Sequence, residues 1–111
     1  MIKENPVNQF DTSHYDIYTI NEAADVYAIQ LNENIPAMLQ VSGVEKAEWE
    51  HHVTTFAGGK TKEWIELKYI IAGKGTAYPG EWLVWNGSYL AVLTDARFKQ
   101  KYKLKLFSRV D

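Results

Sequence analysis

The chain has no cysteine among its 111 residues. That excludes a disulfide framework, a thiolate nucleophile and a thiolate metal site. It also has no long apolar run. No window approaches the roughly 18 residues that a membrane-spanning helix needs. The opening, MIKENPVNQFDTSH, lacks the apolar stretch of a signal peptide. Internal repeats, low-complexity tracts and linkers are missing too. Basic residues are scarce in the first half: residues 1–59 hold nine acidic and two basic side chains, for −7. A protein without membrane contact, working in a cytoplasm, is the expectation.

What is present suits a single globular domain over residues 1–111. Apolar residues make up 46% and charged residues 23%, enough for a core without covalent staples. Residues 60–111 carry five acidic and ten basic side chains, for +5. Their steepest stretch runs through Arg97, Lys99, Lys101, Lys103, Lys105 and Arg109 with no acid between. Such a run meets phosphates or an acidic partner, or else solvates a helix face and a lysine-rich edge strand.

Alternation marks strands at Asp16–Asn21, Asp25–Leu31, Glu45–Phe56, Lys62–Ile71, Gly75–Tyr78, Glu81–Trp85, Ser88–Leu93 and Lys103–Phe107. Met1–Asp11 reads as a loose arm or an irregular wrap. Between Asn32 and Gly43 the period becomes helical, with Asn32 as the cap, Pro36 in the first turn and Gly43 at the end. Thr94 caps a second helix, in which Phe98 and Tyr102 lie four apart and face the sheet. Gly58-Gly59 and Pro79-Gly80 read as turns, and Asn86-Gly87 as a two-residue hairpin turn. The expected fold is α+β: a mostly antiparallel, curved sheet of about five to seven strands with two short helices.

Motifs of catalysis are weak. Gly58-Gly59-Lys60-Thr61 ends like a phosphate-binding loop, but position 54 is Thr and a strand follows. Glu48, Glu50 and His52 share a strand face and could hold zinc weakly, whereas a solvated polar face is the simpler reading, so no metal and no cofactor are expected. His14 beside Ser13, Asp11 and Asp16 is a sequence cluster, not a triad. Glu66 and Glu81 project from neighbouring strands without a sign of desolvation. No catalytic residue is assigned.

The aromatics say more. Four Trp, seven Tyr and four Phe exceed what a small core needs. Exposed Trp and Tyr beside Arg or Lys is the composition of interface hot spots and of base-stacking surfaces. The candidate binding set is Trp64, Trp82, Trp85, Tyr89, Arg97 and Lys101, with at least one tryptophan exposed.

The segment Pro79–Val84, PGEWLV, leads through a Gly turn and a second apolar strand to a short helix ending in Phe98-x-x-x-Tyr102. With Tyr27, Ala28, Gln30 and Gly43 upstream, it resembles the PGDYG-type domain of phages and prophages. Glu81 and Trp82 depart from that pattern. The resemblance places a core at residues 25–107 after an N-terminal extension of residues 1–24. It implies a small phage accessory protein in the bacterial host cytoplasm. The reading that follows is a non-catalytic module that inhibits or sequesters a host defence protein or a small nucleotide signal. The alternatives are a nucleic-acid binder using the basic C-terminal segment and an enzyme of unrecognised class. Self-association is open, and no membrane partner is expected.

Overall fold

The computed structural model describes residues 10–20 and 24–104. Among them, eight strands and two short helices follow in chain order: β1 (Asp16–Ile20), β2 (Ala24–Gln30), α1 (Ile35–Met38), β3 (Val44–Thr55), β4 (Thr61–Ile71), β5 (Gly75–Ala77), β6 (Trp82–Trp85), β7 (Leu90–Leu93), α2 (Asp95–Lys101) and β8 (Lys103–Leu104). The class is α+β and sheet-dominated, as the alternation indicates. The strands are divided between two sheets rather than joined in one. A five-stranded sheet has the order β7-β6-β2-β1-β8, a three-stranded sheet the order β3-β4-β5, and every pairing is antiparallel.

The five-stranded sheet is covered on both faces because its strands alternate between two apolar sets. Val26, Ala28, Trp82 and Val84 point to α2 and pack on Phe98, with Tyr18, Leu93 and Tyr102 around them. Leu83 points the opposite way, into a larger cluster with Leu31, Met38, Val41 and Leu90. Leu67, Tyr69, Ile71 and Ala77 of the three-stranded sheet join that same cluster, so one core holds both sheets together. The Tyr69 hydroxyl donates to the Asn32 carbonyl at 2.8 Å.

Several local signals act as expected. Thr94 accepts from the Arg97 amide at 3.2 Å and starts α2. Tyr78-Pro79-Gly80-Glu81 closes with Glu81 N–H donating to the Tyr78 carbonyl at 2.9 Å, and Gly80 has φ +98°.

Others shift. Gly43 does not end the first helix: α1 ends at Met38 with Leu39 as its cap, and Gly43 instead leads into β3. Its φ of +100° favours glycine, and a Cβ there would press on the Leu90 Cδ2 methyl at 2.7 Å. Asn34, not Asn32, caps α1: its Oδ1 accepts from Ala37 N–H at 3.2 Å, while Asn32 Oδ1 accepts from Asn34 N–H at 2.8 Å and forms the turn before it. The β6–β7 hairpin has four loop residues, 86–89, between the paired Trp85 and Leu90. Asn86 Oδ1 takes the amides of Ser88 and Tyr89 at 2.8 and 3.0 Å, and Asn86 N–H donates to the Tyr89 carbonyl at 3.3 Å, so Gly87-Ser88 rather than Asn86-Gly87 forms the tip. Asp16–Ile20, inside the presumed N-terminal extension, is a strand between β2 and β8. Of the arm, residues 1–9 lie outside the described part, and Phe10 stacks on Trp85 at 4.2 Å. The expected strand beyond Leu104 also lies outside it.

Candidate functional site

β3 and β4 are paired from Val44↔Ile71 to Thr55↔Thr61, while β5 covers only Tyr69–Ile71 of β4. Beyond β5 they run on, among the described residues, as a two-stranded ribbon that closes at Phe56–Lys60. Phe56 N–H donates to the Lys60 carbonyl at 2.7 Å in that turn. All five residues Thr61–Ile65 are exposed, so both faces of the ribbon's end stand in solvent.

One face is apolar. Trp49, Val53 and Ile65 are 60%, 54% and 62% exposed. The register places Ile65 opposite His51 and diagonal to both Trp49 and Val53, which makes a continuous stripe. His51 and Glu63 pair beside it at 3.8 Å, and Phe56 adds a half-exposed ring at the tip. Where β5 ends, a depression of about 500 Å³ opens between Trp49, Ile65 and Leu67 on one side and Tyr78 and Pro79 on the other, with Glu33 and Glu66 on its wall.

The opposite face is polar and ordered. Glu50 lies directly across from Glu66, and His52 across from Trp64. His52 Nε2 stands 3.3 Å from Glu50 Oε1 and 3.1 Å from Glu66 Oε1. Its ring stacks on Trp64, centroids 5.0 Å apart and planes 11° from parallel. The Tyr78 hydroxyl donates to Glu50 Oε1 at 3.0 Å, and Lys68 Nζ lies 3.7 Å from Glu50 Oε2. The Tyr78 hydrogen bond, helped by Lys68 and His52, holds the Glu50 carboxyl below its ordinary range. Glu48 bridges Lys46 at 3.0 Å and Lys68 at 3.8 Å.

The candidates singled out from sequence do not gather into one surface. Trp64 is 40% exposed on the polar face of the ribbon, with Lys62 Nζ 5.6 Å over its ring. Trp82 is buried at 8%. Its indole lies flat on Phe98 at 3.7 Å, and its Nε1–H donates to Asp95 Oδ1 at 2.9 Å. Trp82 is therefore a core residue, covered by α2. Trp85 is half-buried under Phe10. Tyr89 is 57% exposed in the β6–β7 loop with Lys74 over its ring. Arg97 and Lys101 are exposed on α2, and Lys101 lies 5.6 Å over Tyr102.

One pairing read from sequence is corrected, and one local cluster is placed. Glu66 meets Glu50 and His52, whereas Glu81 turns back to accept from the Tyr78 amide at 2.8 Å. Ser13 and His14 sit in an exposed local turn in which Asp11 Oδ1 accepts from the Ser13 amide at 2.9 Å. The stripe of Trp49, Val53 and Ile65 was missed. Alternation showed the face, but only the shortness of β5 shows that this end is uncovered. No protein-family model, curated protein or solved structure matches the chain. No helix among the described residues is long and apolar enough to cross a membrane.

Proposed function

We propose that the chain is a non-catalytic binding module that inhibits or sequesters a protein of a bacterial host, in the host cytoplasm, through the apolar face of its β3–β4 ribbon. The observation that carries this reading is the stripe Trp49–Ile65–Val53, with exposures of 54–62% on a ribbon whose backbone is already ordered by its ladder. Large apolar side chains left in water on a rigid element are costly unless a partner covers them. Trp is also the residue type that most often dominates binding energy at an interface. The PGDYG-type resemblance supports a phage accessory origin and hence a host partner.

A small nucleotide suits the site less well. The depression beside the stripe is walled by Glu33 and Glu66, which repel phosphate. The basic run offers less than its spacing suggests for nucleic acid, because Lys99 is tied to Asp95 at 3.1 Å.

A photo-crosslinking residue at position 53, introduced in bacteria making the chain, tests the reading. The same residue at position 99 on α2 serves as the control. The expected result is one host protein captured from position 53, lost when Trp49→Ser and Ile65→Ser are added, and not captured from position 99. Equal capture from both positions, or none from position 53, overturns it.

A further inference from the structure

We propose that Glu50, His52 and Glu66 form a binding site for a divalent transition-metal ion of the zinc class. Their donor atoms, one from each side chain, lie within 4.8 Å of one another. Two of the separations, 3.1 and 3.3 Å from His52 Nε2 to the carboxylate oxygens, match the donor–donor edge of about 3.3 Å expected around a tetrahedral ion with bonds of about 2.0–2.2 Å. The donor set is one imidazole and two carboxylates, which leaves a fourth position for water or a ligand from outside.

A second observation concerns the imidazole alone. His52 Nε2 is shielded from solvent and faces two carboxylate oxygens, one from each strand. Both carboxylates stand at ion-pair distance from it. The His52 side chain as a whole is 31% exposed, so an ion from solvent can reach the cluster, and a shared cation would serve the ring nitrogen together with both oxygens.

The surroundings hold the three groups in place. The antiparallel register sets Glu50 opposite Glu66, and the two-residue period brings His52 to the same face. Trp64 stacks on the His52 ring and limits its rotation. The Tyr78 hydroxyl orients Glu50 Oε1, and Lys68 lies against the other oxygen, Oε2. Such supporting bonds fix the direction of ligand atoms. Glu66 and Tyr78 also line the depression at the end of β5, so the site borders that space. Local reading of β3 paired His52 with Glu48 and Glu50. The ladder instead supplies Glu66 from β4, and Glu48 is occupied by Lys46 and Lys68.

Tag-free protein titrated with zinc by calorimetry, and with cobalt(II) by visible absorption, tests the proposal. The expected result is one ion per chain and the intense band of four-coordinate cobalt. Both should be lost in His52→Gln and in Glu66→Gln and kept in His51→Gln, which removes the neighbouring imidazole from the opposite face. Tyr78→Phe should weaken binding by about 10–100-fold. In the unaltered protein, zinc should shift the Nε2 resonance of His52, a readout that does not depend on any variant folding. A folded protein without the cobalt band or the Nε2 shift overturns the proposal, as does binding in His52→Gln equal to the parent.

Discussion

The five-stranded sheet and the β3–β4 ribbon use the same residue types in opposite ways. In the sheet, Trp82 is pressed between strand and helix and its one polar atom is satisfied by Asp95. On the ribbon, Trp49 and Trp64 lie in or near water on opposite faces. The aromatic excess of the composition therefore has two sources: one part holds the fold, and the other is presented outward. A count of tryptophans cannot separate them, because separation depends on which strands acquire a second layer.

Substitutions should separate the two regions sharply. The largest effect is expected for Trp82→Ala, which empties a packed site under α2. A loss of about 3–5 kcal/mol in chemical denaturation is expected, enough to threaten folding of a small domain. Gly43→Ala comes next. The positive φ and the 2.7 Å approach to Leu90 predict more than about 1 kcal/mol of destabilisation. Trp49→Ser and Ile65→Ser should leave the denaturation midpoint nearly unchanged, within about 0.5 kcal/mol each, yet cost about 2 kcal/mol or more each in partner binding. A large fall in stability from either would mean that the ribbon belongs to the core after all.

Acid offers a finer contrast. Hydrogen bonds from Trp82 and Lys99 hold the Asp95 carboxyl below its ordinary value. A depressed carboxyl stabilises the fold above its unfolded pKa, about 3.9 for Asp. That contribution is lost as pH falls through the lower folded value. Asp95→Asn should therefore lower stability at neutral pH and flatten its decline below about pH 4. Glu50 is depressed in the same sense by Tyr78. Glu50→Gln should therefore flatten the acid limb as well, over the range below a glutamate's unfolded value of about 4.3. Melts recorded across the acid range for both variants check this.

Most of the local structure was legible in the chain. The strand periods of β2, β3 and β4, the Thr94 cap and the Pro79-Gly80 turn follow from side-chain alternation and from φ preferences. Asn86-Gly87 marked the hairpin but not its centre, because the Asn86 side chain caps the Ser88 and Tyr89 amides and sets the tip at Gly87-Ser88. The site was only half legible. Glu50 and His52 are two apart and visibly share a face, but Glu66 reaches them through a register set by the whole hairpin. Trp82 read as a possible contact residue because nothing near it in sequence announces Phe98 and Asp95 as its cover. Long-range partners are chosen by topology, and spacing along the chain does not encode topology directly.

The ribbon's backbone ladder has a further meaning for how this molecule moves and changes. From Glu48 to Thr55 β3 has β4 as its one neighbouring strand among the described residues, so only every second amide is held in the ladder. Hydrogen exchange should therefore run fastest at Phe56–Lys60 and slow toward the register irregularity at Val44/Lys46. Opening from the tip leaves the buried cluster around Tyr69 intact. The outer half of the hairpin can thus vary in sequence under pressure from whatever it touches, while the rest of the chain keeps the molecule folded.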